Sequence, residues 1–175
     1  MGNIQVRPSL GFSEAIKLAW SRKTEMKGRS RRSEFWWTYL GICLSSIVLS
    51  LIPFIGWLIS VVLAIFSIPL TVRRLHDSGR SGYWLLASVV LGFVVVGLFI
   101  GLLFIPENMS MMKAQGEEAL VNIYLQAFTN VPILLGLLAN FILEILILVF
   151  LCLDGNPEPN RYGDSPKYVI EDSAL

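Results

Sequence analysis

Residues 35–72 read FWWTYLGICLSSIVLSLIPFIGWLISVVLAIFSIPLTV, 38 consecutive positions without a formal charge, bounded by Glu34 and Arg73. As one helix this run would extend about 57 Å at 1.5 Å per residue, nearly twice the hydrocarbon thickness of a bilayer. It must therefore turn back on itself. Pro53 and Gly56 stand near its middle and supply the break, which predicts a first span over 37–52 and a second over 54–72. Working outward, residues 81–106 form another uncharged stretch that holds a third span at 83–105. A fourth follows at 133–153, with Pro132 suited to its first turn and Glu144 as its one acid. In a chain of 175 residues, 54% hydrophobic and 15% charged, this is more apolar material than so small a soluble domain buries. The predicted fold class is an all-α membrane protein, a single integral domain built as a bundle of about four transmembrane helices with amphipathic surface helices.

Orientation follows from the Lys/Arg residues, which are retained on the cytoplasmic side of span ends. Eight precede the first span, none lies between the first and second, three follow the second, one lies between the third and fourth, and two follow the fourth. The alternation places both termini and the 73–82 loop in the cytoplasm, and the Pro53 turn and the 106–131 segment outside. The implied location is the inner (plasma) membrane of a bacterium. No apolar run of signal-peptide length occurs in residues 1–35, so no cleaved leader is expected. Cys43 and Cys152 fall toward the cytoplasmic half, where thiols stay reduced, and no disulfide is expected.

Two segments have the pattern of helices lying along the membrane. Phe12, Ala15, Ile16, Ala19 and Trp20 make an apolar stripe opposite Glu14, Lys17, Ser21 and Arg22, which predicts a helix resting on the cytoplasmic leaflet within the basic 1–35 segment. Outside, Leu120, Tyr124, Phe128 and Val131 repeat at helical spacing and predict an interfacial helix leading into the fourth span. Met109, Met111 and Met112 read as membrane-edge packing in preference to a soft-metal site. In the 154–175 tail, residues 154–166 are rich in Asp, Asn, Gly and Pro and predict consecutive turns, and the last few residues are expected to be mobile.

Three clusters carry most of the polar chemistry: Gly28-Arg29-Ser30-Arg31-Arg32-Ser33-Glu34-Phe35-Trp36-Trp37, Arg73-Arg74-Leu75-His76-Asp77-Ser78-Gly79-Arg80-Ser81-Gly82-Tyr83-Trp84, and Asn160-Arg161-Tyr162-Gly163-Asp164-Ser165-Pro166. Their order and wording resemble the bacterial inner-membrane family catalogued as domain of unknown function 805, over most of the chain from Phe12 to Pro166. The resemblance implies a helical inner-membrane architecture and brings no established activity with it. The chain departs from the family's pattern in a longer external segment at 107–131 and in Tyr83, which stands where the family tends to show Trp. The echo of Gly28-Arg29-Ser30 in Gly79-Arg80-Ser81 is explained more simply by shared anchoring at one membrane boundary than by a duplicated hairpin.

On the predicted topology all three clusters share the cytoplasmic face. Arg29, Arg31, Arg32, Arg73, Arg74, Arg80 and Arg161 would offer planar donors suited to phosphate or carboxylate, with Glu34, His76, Asp77 and Asn160 among them. Two uses are open: a site for an anionic lipid headgroup or an acidic protein partner, or an orientation device whose arginines pair with Glu34, Asp77 and helix carbonyls. His76-Asp77 could suggest a metal hydrolase or a general base, but the chain has no second histidine, and a hydrogen-bonding role in the loop or a pH-responsive element is the simpler expectation. No metal site, cofactor or nucleic-acid partner is expected. No P-loop, dinucleotide fingerprint or nucleophile elbow appears, so the expectation is a non-enzymatic protein.

Glu144 lies nine residues before Leu153, about 14 Å from the inner edge and close to mid-membrane. Gly136, Asn140 and Glu144 form one small and polar stripe expected to face the bundle, with Ser45, Ser46 and Ser60 as candidate partners. Asn140 and Glu144 could thus be an interhelical hydrogen-bonding pair or part of a proton or cation pathway, and the second use would make the chain a small transporter or ion conductor. Gly97 and Gly101 form a Gly-x-x-x-Gly pair that serves helix packing, within the monomer or in a homo-oligomer.

Overall fold

The structure, a computed structural model, describes residues 3–52 and 54–171. Along them run β1 (Asn3–Val6), α1 (Phe12–Ser21), α2 (Arg32–Leu49), α3 (Ile55–Asp77), α4 (Tyr83–Leu103), α5 (Pro106–Gln115), α6 (Glu117–Thr129), α7 (Val131–Cys152) and β2 (Tyr168–Glu171). The chain is an all-α membrane protein apart from the short β1–β2 pair. Three helices, α3, α4 and α7, are long and apolar enough to cross a bilayer. With 18 residues and with Arg32 and Glu34 in its first turn, α2 does not reach that standard.

Two compact units divide the chain: residues 1–82 with 149–175, and residues 83–148. In the first, α2 and α3 form an antiparallel hairpin around buried Phe35, Leu70 and Leu75. The turn expected at Pro53 lies outside the described residues; beside it α2 ends at Leu49 and α3 begins at Ile55. The apolar stripe of α1 is turned onto this hairpin. Phe12 meets Trp37 edge-on at 5.9 Å, Trp20 lies 5.8 Å from Phe66, and Ala15 and Ala19 are buried. Small alanines on that face let α1 approach closely, so the helix is a packed element of the unit and not only a passenger on the leaflet.

Strand β1 pairs antiparallel with β2, in the register Ile4↔Ile170 and Val6↔Tyr168. Turns were expected over residues 154–166, and no strand was foreseen after them. Instead Tyr168-Val169-Ile170, a β-branched and aromatic run, finds a complementary edge in Asn3–Val6, which a local reading of either end misses. Residues 172–175, where mobility was expected, lie outside the described residues.

The second unit contains α4, α5, α6 and the first eighteen residues of α7. Its core gathers Leu102, Ile123, Ala127 and Ile133, flanked by Phe99, Leu103 and Ile105. The 106–131 segment holds two helices where one was expected, because Pro106 starts a helix at its first position and Gly116, at φ 61°, ends it. Buried Asn108 ties the pair to α4 by donating from Nδ2 to the Leu102 carbonyl and to Gln126 Oε1, both at 2.8 Å. Helix α6 buries Ala119, Ile123 and Ala127 and leaves Leu120, Tyr124, Phe128 and, beyond it, Val131 exposed. The apolar stripe read from the sequence is therefore the exposed face of α6.

Candidate functional site

The three arginine-bearing clusters meet at the last turn of α3. Residues Arg73, Arg74, His76 and Asp77 belong to that helix, where a loop was expected from Arg73 onward. The helix is held to this length by Gly79: its φ of +73° lets its amide donate to the His76 carbonyl at 3.0 Å, and the Arg80 amide then reaches the Leu75 carbonyl at 2.8 Å. These are the two bonds of a Schellman motif, which a side chain at position 79 would strain.

Asp77 is the centre of the site. Its Oδ1 accepts from Arg29 Nε at 2.9 Å and its Oδ2 from Arg74 Nη1 at 2.5 Å, and all three side chains are at least 98% buried. Both guanidinium groups also serve backbone carbonyls. Arg29 reaches those of Asp77, Asn156, Glu158 and Gly163, while Arg74 reaches Leu151 at 3.0 Å and also Leu153, capping the C-terminal end of α7. The backbone of Gly155 runs so close that a Cβ there would fall inside the Asp77 carboxylate, and the Asn156 amide donates to the Asp77 carbonyl at 3.0 Å.

A second knot forms around Arg73, which is fully buried. Its Nη2 donates to Glu34 Oε1 at 3.4 Å, its Nε to Ser30 Oγ at 3.1 Å, and its Nη1 to the Arg22 and Glu25 carbonyls at 2.6 and 2.5 Å. The segment between α1 and α2 is thereby wrapped around one side chain. Arg31 fixes the preceding segment by donating to the carbonyls of Pro8 at 2.7 Å and Arg7 at 3.1 Å.

His76 and Asp77 face different partners. The His76 Nδ1 lies 3.1 Å from the Gly28 carbonyl, so this nitrogen carries the proton, and its ring stacks on Tyr162 at 3.6 Å. Asn160 donates from Nδ2 to the His76 carbonyl at 3.0 Å. With both Asp77 oxygens held by arginine, no carboxylate–imidazole dyad is formed.

The rim is more open. Arg32 pairs with Asp154 at 3.1 Å, and Asp154 also receives Lys167 Nζ and, at 3.1 Å, the Tyr168 hydroxyl. Partial burial works against the Asp154 charge, but the hydrogen bonds from Lys167 and Tyr168 and the Arg32 charge more than offset it, so its pKa is held below the ordinary 3.8. The same bond to Asp154 raises Lys167 above its ordinary 10.5. Exposed Arg80 lies over the Phe150 ring at 4.6 Å and exposed Arg161 over Tyr162 at 4.7 Å. Neither makes an ion pair among the described residues.

Residues 24–164, which contain every member of the Asp77 and Arg73 knots apart from Arg22, match the family described as Protein of unknown function (DUF805). The chain belongs to the DUF805 family. Its curated relatives include the inner membrane protein YhaI of Escherichia coli K12 and that of Escherichia coli O157:H7. Each is 27% identical over 149 residues, covering 81% of this chain and 85% of the relative. No solved structure matches the chain. Helix α1 and both strands lie outside the DUF805 match, whereas the arginine knots lie within it.

In this DUF805 member the predicted cytoplasmic residues Arg29, Arg31, Arg32, Glu34, Arg73, Arg74, His76, Asp77, Arg80, Asn160 and Arg161 do come together. Four of the arginines, 29, 31, 73 and 74, direct their donors inward to named acceptors. The polar pair in α7 stands apart: Asn140 is half-buried with its Oδ1 unpartnered, and Glu144 is exposed, although the stripe was expected to face the bundle. Only Gly136 packs closely, on Val95. Nothing lies within 4 Å of where a Cβ on Gly97 or Gly101 would sit, so that pair packs against none of the described residues. Ser30 and Tyr162 stand in the arginine clusters but were assigned no role, and Gly155 was not foreseen, although it directly follows the single acid of the α7–tail junction.

Proposed function

We propose that the chain crosses the bacterial inner membrane four times with both termini in the cytoplasm, and that its cytoplasmic face is a non-enzymatic docking module for anionic lipid headgroups. Parity supports the topology. The first turn of α2, the last turn of α3, the residues after α7 and both strands share one knot, so the number of crossings between them is even. Helices α4 and α7 supply one pair, and α3 needs α2 as its return partner. Eight basic residues lie before or within the first turn of α2 and three near the end of α3, which puts this side in the cytoplasm.

The observation that carries the binding reading is the division of the arginines into two sets. Residues 29, 31, 73 and 74 are buried and occupied, and so make a rigid base. Arg80 and Arg161 stand exposed on that base, each against an aromatic ring and without a carboxylate. Basic groups at this surface attract anionic lipid by about 1 kcal/mol each. Changing both to Gln is expected to lower retention of phosphatidylglycerol in native mass spectra roughly thirtyfold, about 2 kcal/mol. Equal retention by variant and parent refutes the headgroup reading and leaves a protein partner as the occupant of this face.

A further inference from the structure

A groove of about 460 Å³ runs between α1 and the α2–α3 hairpin. Ile16, Gly41, Ile42, Leu63, Phe66 and Leu70 form its apolar walls. One end is cationic. Lys23, which lines the groove there, holds its Nζ 4.4 Å from the centre of the exposed Trp20 ring and makes no ion pair among the described residues. The other charge at that end, Arg73, is already matched by Glu34. Partway along stands Thr38, whose Oγ1 is buried without a hydrogen-bond partner. Helical Thr normally satisfies its hydroxyl on the preceding turn, as Thr71 does on the Ser67 carbonyl at 2.9 Å. A buried hydroxyl left unmatched beside an apolar groove points to an acceptor that the chain does not supply.

We infer that this groove holds one acyl chain of an anionic phospholipid, with Lys23 reading the phosphate and Thr38 the ester oxygens below it. The depth is consistent with that order. Thr38 lies about 9 Å along α2 from Arg32, at the level where headgroup gives way to hydrocarbon, and Leu63 lies about 15 Å along α3 from Arg73, within the apolar core. Helical Thr has two accessible χ1 wells, and a turn about χ1 carries the hydroxyl toward the groove. Trp20 marks the same boundary, where indole rings concentrate. The inference rests on the membrane orientation proposed above and assigns a single seated lipid, distinct from the headgroups held diffusely at Arg80 and Arg161.

The test uses the full chain in detergent, titrated with phosphatidylglycerol and with phosphatidylcholine as the uncharged-headgroup control, read by native mass spectrometry. Lys23→Gln is expected to weaken the first phosphatidylglycerol about fivefold and leave phosphatidylcholine unchanged. Thr38→Val, nearly isosteric, is expected to weaken both lipids about fivefold without lowering the unfolding midpoint, since the hydroxyl has no partner in the protein. Ser45→Phe, which fills the groove from α2, is expected to remove the tightly held lipid of either kind. Independently of any variant, a photoactivatable acyl chain should crosslink to peptides containing Leu63 and Phe66. If the parent retains the two lipids equally, the anionic assignment falls. If all three variants match the parent, or the crosslinks map elsewhere, the groove is not the seat, even where the Arg80/Arg161 variant has lost lipid; loss in the groove variants alone upholds the inference while the headgroup reading fails.

Discussion

Replacing Asp77 by Asn removes the charge that two buried guanidinium groups share. Arg29 and Arg74 meet its two oxygens at 2.9 and 2.5 Å, and their side chains are 1% and 0% exposed. Neither can move into water without abandoning the carbonyls of Leu151, Leu153, Asn156 and Glu158. The variant therefore keeps two like charges close together in a medium that screens them poorly, and breaking a buried pair in this way costs about 3–5 kcal/mol. Reversible unfolding of the purified chain in mixed micelles, titrated with SDS and followed by tryptophan fluorescence, measures that loss. A cycle with Arg74→Met locates it. The double variant should be more stable than the sum of the single effects predicts, by at least about 1.5 kcal/mol, because removing one cation relieves the other. Full recovery is not expected, since the end of α7 loses its donor. A loss below about 1 kcal/mol for Asp77→Asn, or strict additivity in the cycle, refutes the shared-carboxylate reasoning.

Gly155→Ala places a methyl group inside the Asp77 carboxylate and should cost roughly 1–3 kcal/mol by overpacking. In an Asp77→Ala background most of that cost should vanish, and an equal cost in both backgrounds argues against the contact. The Asp154 clamp should respond to pH at both ends. A carboxylate whose pKa is depressed contributes stability fully above its ordinary 3.8 and loses it as pH falls through the lower folded value. Lys167, raised, contributes below 10.5 and loses its share as pH rises through the higher folded value. Spin labels at Gln5 and Val169, paired in the β1–β2 register, should give a narrow distance distribution at pH 6 that broadens below pH 3.8. Asp154→Asn should already be broad at pH 6, and a narrow distribution there would remove the clamp from the account.

How far the sequence foretold this structure depended on where the deciding partners lay. Long apolar helices were legible because their signal is local: an uncharged run from 35 to 72 has few folded solutions in a bilayer. The arginine clusters were recognisable, and the expectation that they lie together rested on charge placement, which assigns them all to one side of a membrane. Their use was not legible. Whether Arg74 faces lipid or the Leu151 carbonyl depends on a contact 77 residues away, and no spacing rule reports it. The end of α3 was misplaced for a related reason. Charge in Arg73-Arg74-Leu75-His76-Asp77 reads as a loop, yet the helix continues because each of these residues except Leu75 finds a polar partner at its own level. Strand β2 was missed because its partner is at the opposite end of the chain.

The two uses weighed for the cytoplasmic arginines, orientation and binding, are not exclusive in this geometry. The buried set comprises Arg29, Arg31, Arg73 and Arg74 against Glu34 and Asp77, so a net positive charge of two is left over. That charge cannot be neutralised by moving a side chain, because the guanidinium donors are occupied by carbonyls that offer dipoles and no full charge. On the proposed topology, a surplus built in this way favours the cytoplasmic side as exposed arginines would. It also ties the ends of α2, α3 and α7 and the C-terminal tail into one base. Exposed Arg80 and Arg161 are then free of structural duty and add to a field whose source is fixed. An anionic group approaching this face therefore meets a positive potential that persists when the outer arginines are removed, so the Arg80→Gln/Arg161→Gln variant combined with Lys23→Gln should still retain some anionic lipid over phosphatidylcholine.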